Sequence, residues 1–382
     1  MRVRSVRGFA LAGLAVVVFG VAACGSSNKT SSSTVTAATT ASSSPQPGPA
    51  TKALQPYLKA PTELVVSTPL SKRPPQGKKV VFLSNGIEIA QQIGAGMKAA
   101  AAALGWNYKT LSVDQNNPAT VTSSMLAAIN GGADAVFVSA TPSAVFKSAL
   151  PVAKAKGTSV IDVASGNGPQ GLTSLVNNAK NNGPVWGKIL ALAALADAEK
   201  AHETAKMVLV TSPIFQTILG PTDGAAKATV SQVCPKCSFD VLPIAPNRLF
   251  TGKAPSDVVS YLQAHPDVKY VLQDSSLTDQ GLVPALKGAG LSGMKIYGVA
   301  PLKPQVAAVK AGDEQGWVVD PLQVEGWMAV DAAARVTTGD DPKVYNSEAI
   351  PAYLLTNANA SGPVEVPADY ADQFKKMWKL GG

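Results

Sequence analysis

A chain of 382 residues with 46% hydrophobic and only 15% charged residues can fill one or two large cores, which excludes global disorder. Its 33 Lys plus Arg exceed its 25 Asp plus Glu by 8, but the basic residues are scattered, so the basic stripe with interleaved aromatics of a nucleic-acid binder is missing. The two histidines, His202 and His265, are too few for a histidine-rich metal site, and any Ser-His-Asp chemistry would need one of them.

Arg2, Arg4 and Arg7 precede an apolar run from Phe9 to Gly20, followed by Val21-Ala22-Ala23-Cys24. A basic start, a short apolar stretch and small residues before a cut site predict a secretory signal over 1–23, too short for a stable transmembrane helix. The box ending at Cys24 resembles the bacterial lipoprotein signal, in which the cysteine is diacylated; an ordinary signal with an incidental cysteine is the alternative. The resemblance implies a lipid-anchored protein on the extracytoplasmic face of the cell membrane. Cleavage removes three arginines and lowers the formal charge from +8 to +5. Residues 25–50 hold thirteen Ser or Thr and a single charge, Lys29. Such a segment buries too little apolar surface to offset its ordering entropy, so 24–50 reads as a tether behind the anchor. Residues 51–74 form a Pro-rich lead-in. No later run is apolar for about 18 residues, so no second membrane segment is expected.

From Lys78 the chain alternates. Val80–Leu83 is a buried strand, broken by Asn85-Gly86, and Ile89, Ile93, Met97, Ala100 and Leu104 then recur at helical spacing. Strands are predicted at Trp106–Val113, Ala135–Val138 and Ser159–Val163, with helices from Asn117-Pro118 to Ile129 and from Pro142 to Lys156. The scheme then repeats. Strands at Lys206–Val210, Lys269–Leu272, Lys295–Val299 and Gly316–Val319 are followed by helices at Asp223–Val233, Gln280–Ala289, Pro304–Lys310 and Pro321–Val336. Continuous apolar strands between amphipathic helices indicate parallel sheets covered on both faces. The expected fold class is α/β, with two doubly wound, Rossmann-like lobes. Ligands of such sheets bind beyond the C-terminal strand ends, here in the cleft between the lobes.

Several segments match one family. These are Gly77 to Leu83 with the following helix, Ala103-Leu104-Gly105-Trp106 with Asp114 to Pro118, and Ile129-Asn130-Gly131-Gly132-Ala133-Asp134-Ala135-Val136. Ala153 to Gly157 leading into Val160-Ile161-Asp162, Gly281 to Gly290, and Gly312 to Asp320 complete the set. Over residues 75–358 the chain resembles the type I periplasmic binding proteins of the ribose- and galactose-binding kind, the solute receptors of ABC importers. The resemblance implies two lobes closing on a ligand about a three-segment hinge, near Ser165–Gly171, Asp320-Pro321 and Tyr345–Ile350. The first lobe is then expected over 75–166 and 321–343, the second over 167–320 and 344–366, with a tail over 367–382. It also implies a monomer with a small-molecule ligand and permease partners, and without cofactor or nucleic acid.

Site residues are expected at the strand ends. Asn85, Glu88 and Gln92 follow the first strand, Asp114 the second and Thr141 the third. Thr141, like Asn117, either contacts ligand or only caps its own helix, as a small polar residue before proline does. Asp162 ends the fourth strand, and Asn167 follows it in the first crossing. The second lobe offers Phe215, Asp274 and, at the second crossing, Asp320. Ile87 and Ile89 stand where the family often has aromatics, and the stretch before Gly224 lacks the family's arginine. Both departures weaken a sugar reading. Trp186 and Trp317 are candidates for a stacking face or for core packing. Cys234-Pro235-Lys236-Cys237 lacks the further ligands of a zinc site and does not open a helix as redox pairs do, so a structural disulfide is expected.

These features point to a solute receptor for a sugar or polyol. A receptor for an amino acid, nucleoside or signalling molecule is the alternative. An extracellular enzyme is disfavoured, because no nucleophile elbow, paired-carboxylate motif, phosphate loop or metal set occurs. A transcription regulator with this body would carry a helix-turn-helix where the leader and tether stand.

Overall fold

The structure is a computed structural model that describes residues 47–381, apart from 115, 116 and 167. The leader, Cys24, most of the tether and Asn167 lie outside the described residues.

After α1 (Pro49–Leu54) the chain runs through β1 (Lys79–Ser84), α2 (Glu88–Ala103), β2 (Asn107–Ser112), α3 (Ala119–Asn130), β3 (Ala135–Ser139), α4 (Leu150–Lys156), β4 (Ser159–Val163) and β5 (Ser174–Val176). These strands form a parallel sheet of order β2-β1-β3-β4-β5. The second half supplies α5 (Ala179–Ala201), β6 (Lys206–Thr211), α6 (Gln216–Val233), β7 (Ser238–Pro243), α7 (Pro246–Leu249), α8 (Ala254–Ala264), β8 (Tyr270–Gln273), α9 (Ser276–Asp279), α10 (Leu282–Gly288), β9 (Lys295–Val299), α11 (Lys303–Ala311) and β10 (Gly316–Val318). After α12 (Leu322–Thr338), β11 (Leu354–Thr356) joins the second sheet, whose order is β11-β10-β9-β8-β6-β7, and α13 (Tyr370–Met377) ends the fold. Among the described residues only β11 runs antiparallel to its neighbour.

The period-two alternation of strands explains the layers. Val80 and Phe82 of β1 pack into the α2–α12 side of the first sheet, while Val81 and Leu83 pack into the α3–α4 side. In the second sheet Met207 and Leu209 face α5 and α6, and Val208 and Val210 face α8 and α10. Each lobe also contains one close helix pair that requires glycine. A β-carbon at Gly96 of α2 would lie 2.1 Å from the Gln323 carbonyl oxygen in the first turn of α12, and one at Gly187 of α5 would lie 2.1 Å from the Thr222 carbonyl oxygen of α6.

Three boundaries differ from the sequence reading. The chain remains in the first sheet through β5, so the first crossing follows Val176 instead of falling near Ser165–Gly171. A three-residue strand behind a Gly-rich loop is below the length at which periodicity is legible. The 51–74 lead-in packs against both lobes. Leu54 packs on α5 in the second lobe, whereas Leu64, Val66 and Leu70 pack into the first. The 367–382 segment is not a free tail either, since Phe374, Met377 and Trp378 are buried against α12 in the first lobe.

Candidate functional site

The C-terminal ends of the strands converge on a cavity between the lobes. The first residue beyond β3, β4, β5 and β9 is respectively Ala140, Ala164, Asn177 and Ala300. All four are left-handed, with φ of 48°, 57°, 54° and 58°. The Ala140, Ala164 and Ala300 amides extend the ladder by one bond, donating to the Val163, Val176 and Val318 carbonyls at 3.0, 3.0 and 2.9 Å, before the chain turns. A β-carbon in this region costs about 1–2 kcal/mol, so such residues persist where surrounding structure enforces them. Six non-glycine residues among those described are left-handed, and these four all line the cavity.

Ile87 and Ile89, from the turn into α2, give the first lobe's wall. Trp186 of α5 and Phe215, Ile218 and Leu219 at the start of α6 face them, with Leu277 and Val299. The polar lining consists of Asn177, Asp274, Ser275 and Asp320.

Asp274 is the first residue beyond β8 and is only 1% exposed. Its Oδ2 accepts the Thr211 hydroxyl at 2.5 Å, while Oδ1 has no partner. Burial, and then the charge of Asp223, push its carboxyl well above the usual carboxylate range. Asp223 of α6 accepts from Gln216 Nε2 at 2.9 Å and from Thr211 Oγ1 at 3.1 Å.

Asp320 stands at the second crossing, 8% exposed, with Oδ1 unpartnered. Burial raises its carboxyl to about 6. Glu325, in the first turn of α12, is near enough to share a proton with it, and burial followed by the Asp320 charge drives Glu325 well above its ordinary value. Glu325 accepts from Asn177 Nδ2. Asn182 Nδ2 donates to Asn177 Oδ1 at 2.7 Å, and Asn182 Oδ1 accepts the Ile350 amide at 2.6 Å. One polar chain thus joins the crossing after β5, the crossing before α12 and the crossing before β11.

The expected site residues separate into groups. Asp274, Asp320 and Phe215 line the central cavity. Asn85, Asp114 and Thr141 line a neighbouring pocket that shares Ala140 and Phe215 with it and is closed by Ile214. There Asn85 Oδ1 accepts the Ile87 amide at 3.2 Å, and Thr141 Oγ1 donates to the Ser139 carbonyl at 3.0 Å. Gln92 lines a second pocket, with Lys303, Gln323 and Glu365, which shares Asp320 with the central cavity. Glu88 begins α2, half-buried, and lines neither the cavity nor these two pockets. Asp162 does not reach the cavity. It is 0% exposed and accepts the Ser165 hydroxyl at 2.6 Å, and burial raises it to about 8. The reason is depth: it sits inside β4, two residues short of Ala164, on the α3–α4 side of the sheet. Trp317 is core, with its indole donating to Glu314 at 2.5 Å. Asn177 and Glu325 were not anticipated. The run of four asparagines at 177, 178, 181 and 182 in otherwise apolar surroundings is the signal that marks this hinge.

Cys234 and Cys237 form a disulfide at the far end of α6. Among the described residues no cluster of three or more His, Cys, Asp or Glu side chains is arranged to hold a metal ion, and no helix is long and apolar enough to cross a membrane.

Residues 79–341 match the sequence model of the periplasmic binding protein domain. The chain belongs to that family. No curated protein matches it. Among solved structures it is similar to an ABC transporter solute-binding protein from Burkholderia graminis in complex with D-arabinose, at 17% identity and a TM-score of 0.66, covering 76% of this chain and 99% of the other. A carbohydrate transporter solute-binding protein from Agrobacterium radiobacter, also with D-arabinose, is 21% identical with a TM-score of 0.64 over 75% and 97%. A putative LacI transcriptional regulator from Bacteroides fragilis is 14% identical with a TM-score of 0.64 over 75% and 99%. At these identities the likeness is one of fold.

Proposed function

We propose that the protein is the extracytoplasmic solute receptor of an ABC importer and that its lobes close on a small polyhydroxylated solute, a sugar or polyol. The carrying observation is a cavity at the strand ends of a binding-protein fold, lined by two buried carboxylates, each with an unpartnered oxygen. Ionised carboxylates accept hydroxyl hydrogens, and each such charge-assisted bond contributes about 1.5–3 kcal/mol. The D-arabinose bound to two of the similar receptors supports the same class.

In this reading Asp274, Asp320, Asn177 and Ser275 orient the solute. Trp186, Phe215 and the isoleucines exclude water, and the Asn177–Asn182–Ile350 chain reports closure to the hinge. Asn85, Asp114 and Thr141 act at the cleft mouth. The receptor works as a monomer, without catalysis, and delivers solute to permease subunits. Diacylated Cys24 holds it to the membrane through the tether, and Cys24→Ala releases it from the membrane fraction; unchanged fractionation overturns the anchor.

Calorimetric titration against pentoses, hexoses and polyols, with small-angle scattering at saturation, tests the receptor reading. Binding with compaction is expected. Binding of an amino acid or nucleoside but of no polyhydroxylated compound overturns the solute class, and saturation without compaction overturns the closing mechanism.

A further inference from the structure

The cavity is lined by acids and by no base. Asp274 and Asp320 border it, with Asp223 behind the first and Glu325 behind the second. No Lys, Arg or His is among its lining residues. None of the ion pairs among the described residues involves any of these four acids. Each of the four has one carboxyl oxygen that is buried and lacks a hydrogen-bond donor.

This chain neutralises a buried acid elsewhere. Asp331, 0% exposed, accepts from Arg335 Nε at 2.7 Å, from the Tyr345 hydroxyl at 2.6 Å and from Trp378 Nε1 at 2.6 Å. Leaving a carboxylate buried without a counter-charge costs several kcal/mol, so the empty site favours protonated acids, and a neutral hydroxyl supplies a hydrogen bond but no charge with which to ionise them. An ammonium supplies three donors and the missing charge. The lining carries the complementary signal as well. Trp186 Nε1 is a donor only, is buried, and has no acceptor. A solute that completes this site therefore brings both a cation and an acceptor oxygen, set against an aliphatic wall.

We infer that the solute of this receptor is an amino-substituted sugar or polyol, whose protonated amine docks on the Asp274–Asp320 side of the cavity while a ring or hydroxyl oxygen accepts from Trp186. The inference rests on the receptor reading above and narrows its solute class. Its elements are separable, because the cation requirement comes from the acids and the oxygen requirement from the indole.

The experiment is calorimetry at pH 7 on the full chain purified in detergent. It uses matched pairs: D-glucosamine with D-glucose, D-galactosamine with D-galactose, and glucamine with sorbitol. Cyclohexylamine serves as an amine without hydroxyls. At least one amino compound should bind about tenfold or more tighter than its neutral partner. Asp274→Asn should weaken both members of a pair but the amino compound about tenfold or more beyond its neutral partner, so that the preference disappears. Its unliganded melting temperature should equal or exceed that of the wild type, because the amide needs neither a counter-charge nor a proton to sit there buried. Equal or tighter binding of the neutral members overturns the amine and leaves the sugar reading standing. Binding of cyclohexylamine alone overturns the sugar reading and leaves the cation standing. No binding across the panel overturns both, and an Asp274→Asn variant that keeps the full preference overturns the assigned docking side.

Discussion

The two lobes repeat one architecture, but among the described residues only the first gives a fully buried acid a cation. In the first, Asp331 is surrounded by Arg335, Tyr345 and Trp378, and Arg335 also donates to the Thr68 carbonyl at 2.9 Å. That network ties the lead-in, α12 and the C-terminal helix into one block. In the second lobe the buried acids are paired with acids. Asp274 faces Asp223, and Asp279 faces Glu314, with burial raising the latter two to about 7 and about 9. Even the strand-end acids differ. Asp162 of the first lobe is sealed beneath Ser165, whereas Asp274 of the second opens onto the cavity. The first lobe gives one buried acid, Asp331, a cation, and the second gives none to Asp274, Asp279 or Glu314. A site held at a cost to the free protein is where added stability and function trade against each other.

The contrast is tested most strongly by removing one charge from each lobe. Arg335→Met leaves Asp331 buried without its cation and should lower unfolding free energy by about 3–5 kcal/mol, read by chemical denaturation. Asp274→Asn removes a buried acid that has no cation and should leave the free protein as stable or more stable. Equal losses in the two variants would show that the lobes do not differ in this way.

pH gives the next effect. Burial raises Asp320 to about 6, Asp279 to about 7, and Asp162 and Glu365 to about 8 in the folded chain. The folded state therefore binds more protons than the unfolded chain between about pH 4 and pH 8. The stability these groups contribute is fully present below the unfolded carboxyl pKa and is lost as pH rises through 6 to 8. The unliganded protein should be more stable at pH 5 than at pH 8, by about a few kcal/mol in total. A melting temperature that rises from pH 5 to pH 8 contradicts these carboxyl assignments. Arg335→Met should keep this slope, since all four groups lie outside the Asp331 network.

The close helix pairs should respond alike in both lobes, which sharpens the comparison by showing where the lobes do match. Gly96→Ala and Gly187→Ala each press a methyl onto a backbone oxygen, and each should cost about 1–3 kcal/mol by denaturation. A variant that loses nothing would mean that its helix pair can separate freely.

Much of this arrangement was legible in the sequence. β1, β3 and β4 announce themselves as short apolar runs, and α2 by its helical spacing. α5 was missed for a physical reason: thirteen of its 23 residues are buried on several faces, so it carries no amphipathic period. β5 and β11 are three residues each, and β11 is an antiparallel addition that alternating strand and helix does not foretell. At the site, the strand-end rule selects Asp274 and Asp320 because they stand one and two residues beyond their strands. It fails for Asp162, which stands within β4. The left-handed alanines were invisible, because nothing in the residue type alanine reports a positive φ.

Those alanines carry the smallest and most local effect. Ala140 in the first lobe and Ala300 in the second occupy the same place, one residue past a strand, at φ of 48° and 58°. Replacing either with glycine removes about 1–2 kcal/mol of left-handed strain. It also loosens the unfolded chain by about 0.5–1 kcal/mol, which acts in the opposite direction. The net change should be a gain of less than about 1 kcal/mol, equal in the two lobes within the error of denaturation. Valine at the same positions should be strongly destabilising, because a β-branched side chain tolerates this backbone worst. If Ala300→Gly instead loses about 2 kcal/mol or more while Ala140→Gly gains, the Ala300 methyl is held by packing in the second lobe's core and not by the turn. The strand ends of the two lobes would then differ in packing as well as in charge.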